Sequence, residues 1–172
     1  MCWICIIDPL RPVVCFDESS QQLIAETRRP LPMQPGKSQR YDYEYERCNL
    51  FIFFEPLAAW REVQVTDQRT MVDYAHCPKY LVDERYPQAE VIRFLNTHKP
   101  AALYETFSPQ EAHLILQRLE FHHIPNHGSW LNMAEIELSV LNSQCLDRRI
   151  ADKSTLITEV TAWNIDRNQR AT

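Results

Sequence analysis

Glycine is nearly absent: Gly36 and Gly128 are the only two in 172 residues. A phosphate-cradling loop needs several glycines at fixed spacing, so P-loop and dinucleotide-binding fingerprints are excluded. An excess of positive charge is also lacking. The formal net charge is −5, from 18 Lys and Arg against 23 Asp and Glu, which leaves no global electrostatic footprint for nucleic acid. An enzyme acting on DNA stays open, because a metal-binding acid cluster is itself negative. Tight DNA binding would need basic residues supplied from elsewhere. The apolar opening, residues 1–7, is too short to span a membrane and has no basic flank, so neither a membrane partner nor a signal peptide is expected. Cys2, Cys5, Cys15, Cys48, Cys77 and Cys145 are scattered, with no secretory signal before them. That points to a reduced, cytoplasmic setting. Cys2 and Cys5 form a lone CxxC without the second ligand pair that a structural zinc needs.

What is present suits one α/β domain. The length matches a single domain with a sizeable core. Val13, Val14, Cys15 and Phe16 form a continuous apolar run closed by Asp17 and Glu18, which predicts a buried strand with carboxylates at its C-terminal end. Residues 19–40 are polar and contain Pro30, Pro32 and Pro35, predicting a loop. Residues 41–47 alternate tyrosine with acid, a period-two pattern. Leu50 to Phe54 is a second buried strand, and Trp60 to Val65 a third. Residues 70–86 look helical, with Pro78 in the middle, where a kink or break is expected. Residues 91–94 are a very short strand candidate and residues 95–98 a turn. A short helix opens at Pro100. Ser108, Pro109 and Glu111 make a helix start, with serine as N-cap and proline at the first position. Residues 120–124 are a strand candidate. Residues 130–146 are a helix with Leu131, Ala134, Leu138, Leu141 and Cys145 along one stripe, and residues 155–168 are the last helix. Strands and helices in this order predict a mixed α/β sheet covered by helices.

Two acids stand out by position. Asp17 closes the first strand, and open α/β sheets hold their ligands outside the carboxyl ends of strands; the plainer alternative is that Asp17 and Glu18 only end the strand. Glu135 lies in the first turns of the 130–146 helix, beside Glu137, where the helix macrodipole favours an acid of any role.

Longer blocks carry a resemblance. Asp8-Pro9 and Arg11-Pro12-Val13-Val14-Cys15-Phe16-Asp17-Glu18 resemble the first catalytic block of mariner-like bacterial insertion-sequence transposases of the DDE type. Residues 41–47 and 49–57 are similar to that family's central strands. Leu95-Asn96-Thr97-His98-Lys99-Pro100 and residues 127–138 match two further blocks, and residues 144–150 continue the last. The likeness runs from about Asp8 onward. It implies a ribonuclease-H-like fold, a five-stranded mixed sheet flanked by helices, forming one catalytic domain over residues 1–172. It implies metal-dependent DNA strand cleavage and strand transfer, with transposon-end DNA as partner and a homo-oligomer or a full-length transposase as protein partner. The family's first Asp and the Glu of its Asn-x-x-Glu helix bind divalent metal; these fall on Asp17 and Glu135, with Asn132 opening the helix motif. The expected cofactor is Mg2+ or Mn2+, since such ions take oxygen ligands and a pair of them stabilises both reacting oxygens of an in-line displacement.

The sequence departs from the family pattern in five places. The family's second Asp ends a strand just before the Leu-Asn-Thr-His block, whereas here residues 91–94 run straight into Leu95-Asn96. About four residues, most of a strand's length, are missing together with that Asp. Asn96 and His98 lie nearest in sequence, but Asn96 is neutral and His98 suits magnesium poorly. A few residues are also missing around Cys48, Pro78 interrupts a helix, the upstream helix-turn-helix region is absent, and the tail stops early. The expectation is a truncated and inactive copy. The alternative is a non-catalytic fragment that binds or inhibits a full-length transposase.

Overall fold

Period-two alternation organises the sheet, because successive strand side chains face opposite sides. The computed structural model describes residues 8–26, 35, 43–96, 98–123 and 133–171. Five strands form one mixed sheet: β1 (Val13–Glu26), β2 (Tyr43–Glu55), β3 (Trp60–Thr66), β4 (Ile92–Asn96) and β5 (Leu119–His123), in the order β3-β2-β1-β4-β5. β1, β2 and β3 are antiparallel neighbours, while β4 runs parallel to β1 and β5 parallel to β4. The helices are α1 (Met71–Tyr80), α2 (Ala101–Thr106), α3 (Pro109–Gln117), α4 (Met133–Leu141) and α5 (Lys153–Arg170). None of the described helices is long and apolar enough to cross a membrane.

Each face of the sheet has its own core. On one, Val14, Phe16, Phe51, Phe53, Ile92 and Phe94 pack with Tyr74, Leu81, Leu103 and Ile115 from α1, the turn after it, α2 and α3. On the other, Cys15, Leu50, Ile52 and Val63 pack with Ala134, Leu141, Leu156, Val160 and Trp163 from α4 and α5. Of the expected stripe on the 130–146 helix, Ala134, Leu141 and Cys145 are therefore buried and Leu138 partly buried, while Leu131 lies outside the described residues.

Several expected boundaries are corrected. β1 does not end at Asp17: the polar residues 19–26 continue it, paired with β2 as far as Glu26 opposite Tyr43. A single inward residue, Leu23, fully buried, anchors that extension. Residues 41–47 and 50–54 do not form separate strands, because Tyr43–Glu55 is one strand with buried Cys48 in its middle. β4 spans Ile92–Asn96 rather than 91–94, so Leu95 and Asn96 are drawn from the expected turn into the sheet. Pro78 does not break α1. The helix passes through it and widens into a π-helical turn, Leu81–Arg85. Arg118 then ties that end down, donating to the carbonyls of Val82, Tyr86 and Ala89 at 3.2, 2.7 and 2.8 Å. α4 likewise ends in a π-helical turn, Asn142–Leu146. The expected start of that helix at Trp130, along with Asn132, His127, Cys2 and Cys5, lies outside the described residues.

Candidate active site

Asp17 sits where β1 outruns its parallel neighbour. The β1–β4 pairing stops at Cys15 opposite Leu95, while β1 continues against β2. Asp17 shares the parity of Cys15, whose thiol bonds the Met133 backbone at the start of α4, so the carboxylate faces α4. Glu135 lies in the first turn of that helix and is exposed. The two carboxylates are near enough to interact. The Asp17 pKa is raised from 3.8 to about 6, chiefly by desolvation and further by the charges of Glu18 and Glu135. The Glu18 backbone N–H, which donates to Asp17 Oδ1 at 2.8 Å, and His98 oppose the rise.

Asn96 and His98 face the other way. Asn96 is fully buried and shares the parity of Ile92 and Phe94, in the core beneath α1. Its Oδ1 accepts from the Tyr74 hydroxyl at 3.2 Å and from the His98 N–H at 2.8 Å. His98 places Nε2 3.0 Å from Glu18 Oε2 and lays its ring over Tyr74, centroids 4.2 Å apart. Glu18 follows the parity of Phe16, and Arg69 approaches its other oxygen at 3.9 Å. The structure thus brings Asp17 and Glu135 to one face of β1, and Glu18, Asn96 and His98 to the opposite one.

The group that fixes α4 was not among the sequence candidates. Glu137 is 6% exposed and Arg61 fully buried. Arg61 Nε lies 3.0 Å from Glu137 Oε2, and Arg167 donates to Oε1 at 3.3 Å. Asn168 clamps the Arg61 backbone, accepting its N–H at 2.9 Å and donating to its carbonyl at 2.8 Å. The signal was present in the patterns. Arg61 alternates in register with Val63, and Glu137 lies three residues after Ala134 and four before Leu141, on the buried stripe.

A model of the DDE superfamily endonuclease family matches residues 12–157. The chain belongs to that family. No functionally curated protein matches it. Among solved structures, this DDE-family domain is similar to a pre-cleavage Mos1 transpososome, at a TM-score of 0.55 and 12% identity over 94% of the chain. It is also similar to the Mos1 transposase paired-end complex with the left transposon end, at 0.53 and 15% over 94%. A third is the Mos1 mariner paired-end complex with Mn, at 0.52 and 13% over 93%. The chain spans about half the length of these chains, 51% to 52%. The likeness establishes the ribonuclease-H-like fold.

The described side chains of this DDE-family domain do not fit the paired divalent metals that the resemblance implies. Among the described residues no group of three His, Cys, Asp or Glu side chains is placed to hold an ion. Asp17 and Glu135 converge, but at the end of β4 stands the neutral Asn96, its oxygen already engaged on the far face. Two ions need anionic oxygens on both sides of the reacting phosphate, and that second anchor is not among these residues.

Proposed function

We propose that this chain is one transposase catalytic domain by descent, which binds DNA weakly and without sequence preference and does not cut or join strands. The observation that carries this reading is Asn96: a neutral, fully buried side chain, hydrogen-bonded to Tyr74 and turned away from Asp17, at the strand end where the family places its second acid. Asp17 and Glu135 are the surviving acids and the candidate ligands for Mg2+ or Mn2+. Losing electrostatic stabilisation of a transition-state charge lowers rates by about 10²–10³, and losing the anchor of one ion lowers them further.

The test is nicking of supercoiled plasmid with Mg2+ or Mn2+, which needs no end recognition. The chain as it stands is compared with one in which about four strand residues, including the Asp, are restored before Leu95. The restored chain is expected to nick and the present one to be silent. Equal activity in both, abolished by Asp17→Ala, would show that another residue completes the centre.

A second reading, an inhibitory fragment that docks on an intact transposase, draws on the exposed apolar side chains of α4 and α5: Ile136, Ile157 and Ile165. Co-purification with a full-length relative, lost when these are changed to glutamate, is the expected result.

A further inference from the structure

On the face of β1 opposite Asp17, the start of α1 and the start of α2 enclose a cavity of about 390 Å³. Its lining divides by chemistry. Met71 and Tyr74 supply apolar surface, while Arg69, His98 and Lys99 supply nitrogen donors. One carboxylate enters, that of Glu18, and it is held by His98 at 3.0 Å with Arg69 at 3.9 Å. Lys99 is exposed and has no ion-pair partner among the described residues. Arg69 and Lys99 against one paired carboxylate leave the cavity net positive, in a chain of net charge −5. Local positive charge of this kind attracts phosphate whatever the global balance.

We infer that this cavity is a deoxynucleotide-binding site, taking a base against the Met71–Tyr74 surface and its phosphate between Arg69 and Lys99. A free phosphate would leave the apolar surface unused, and an apolar ligand would leave two cations unmatched. The volume lies in the range of small-ligand pockets, roughly 300–1,000 Å³, and exceeds what a phosphate alone fills. Arg69 is half-exposed and Met71 is exposed, so an unpaired nucleotide at the end of a strand can reach the cavity without opening the core. This site rests on the reading of the chain as a DNA-binding domain, but not on its being catalytic or inactive: the cavity lies across the sheet from Asp17 and Glu135.

The test is fluorescence anisotropy with the full chain. A labelled single-stranded hexanucleotide and a blunt duplex are titrated separately, with a deoxynucleoside monophosphate and inorganic phosphate as competitors. The single strand is expected to bind more tightly than the duplex, and the nucleotide to displace it where phosphate does not. Arg69→Ala with Lys99→Ala, both surface changes, should weaken strand binding about tenfold and flatten its log–log salt slope by about 0.7, the value for one phosphate no longer neutralised. Met71→Glu should weaken it comparably, and Arg170→Ala, remote on α5, should change nothing. Wild-type binding in the Arg69/Lys99 variant, or equal displacement by phosphate, would overturn the site. Duplex binding without strand or nucleotide binding would overturn the site and leave the DNA reading standing, whereas no binding to any DNA would remove both.

Discussion

Replacing Asp17 by asparagine should stabilise the fold at neutral pH, by an amount that depends on pH in a defined way. The carboxylate is half-buried, and desolvation, Glu18 and Glu135 together hold its pKa near 6 instead of 3.8. Between those two values the folded chain keeps the proton and the unfolded chain has lost it, so stability falls as pH rises through that window. The full rise corresponds to about 3 kcal/mol; solvent reaching the carboxylate reduces this to about 1–2 kcal/mol. Asparagine has a similar shape and never ionises. In metal-free buffer the variant should match the wild type at pH 4 and exceed its melting temperature by about 2–8 °C at pH 7.5, using about 2–4 °C per kcal/mol for a domain of this size. Thermal melts followed by circular dichroism across that range measure the difference directly. A gap that is constant with pH, or an asparagine variant less stable at pH 7.5, would refute the argument that Asp17 is kept charged against the fold's preference.

Glu137→Ala should destabilise by about 3–5 kcal/mol in urea titration, since it leaves the fully buried Arg61 without its carboxylate. Thr70→Ala should lose about 1 kcal/mol in the same assay. The Thr70 hydroxyl accepts the Asp73 N–H at 3.2 Å, and that half of the α1 capping box goes, while the backbone N–H of residue 70 still donates to the Asp73 carboxylate, at 2.8 Å in the wild type.

Much of the architecture was legible because its signals are local. Ser108 caps α3, accepting the Glu111 N–H at 3.3 Å, and the apolar runs 13–16 and 50–54 are buried strands. The far half of β1 was not legible. Residues 19–26 are polar, and their strand conformation comes from the ladder with β2, a contact between segments distant in sequence. At the site, Asp17 and Glu135 were named from position and resemblance, and they do share a face. The opposite orientation of Asn96 and His98 was hidden by one error of register: with β4 ending at residue 94, both belonged to a turn and had no face at all. Arg61 and Glu137 were passed over because charged residues are almost never fully buried unless paired, and the pairing spans three elements.

The way Asn96 is held has a consequence for ancestry. A single nucleotide separates the codons of asparagine and aspartate, so the shortest genetic route to an acid at this strand end is one transition. That route leads to the wrong side of the sheet. An aspartate at 96 would point beneath α1, against the Tyr74 hydroxyl, and bury a second negative charge near Glu18 without reaching Asp17. A point mutation at this codon therefore supplies no acid beside Asp17, whereas a change in chain length would shift which residues face α4.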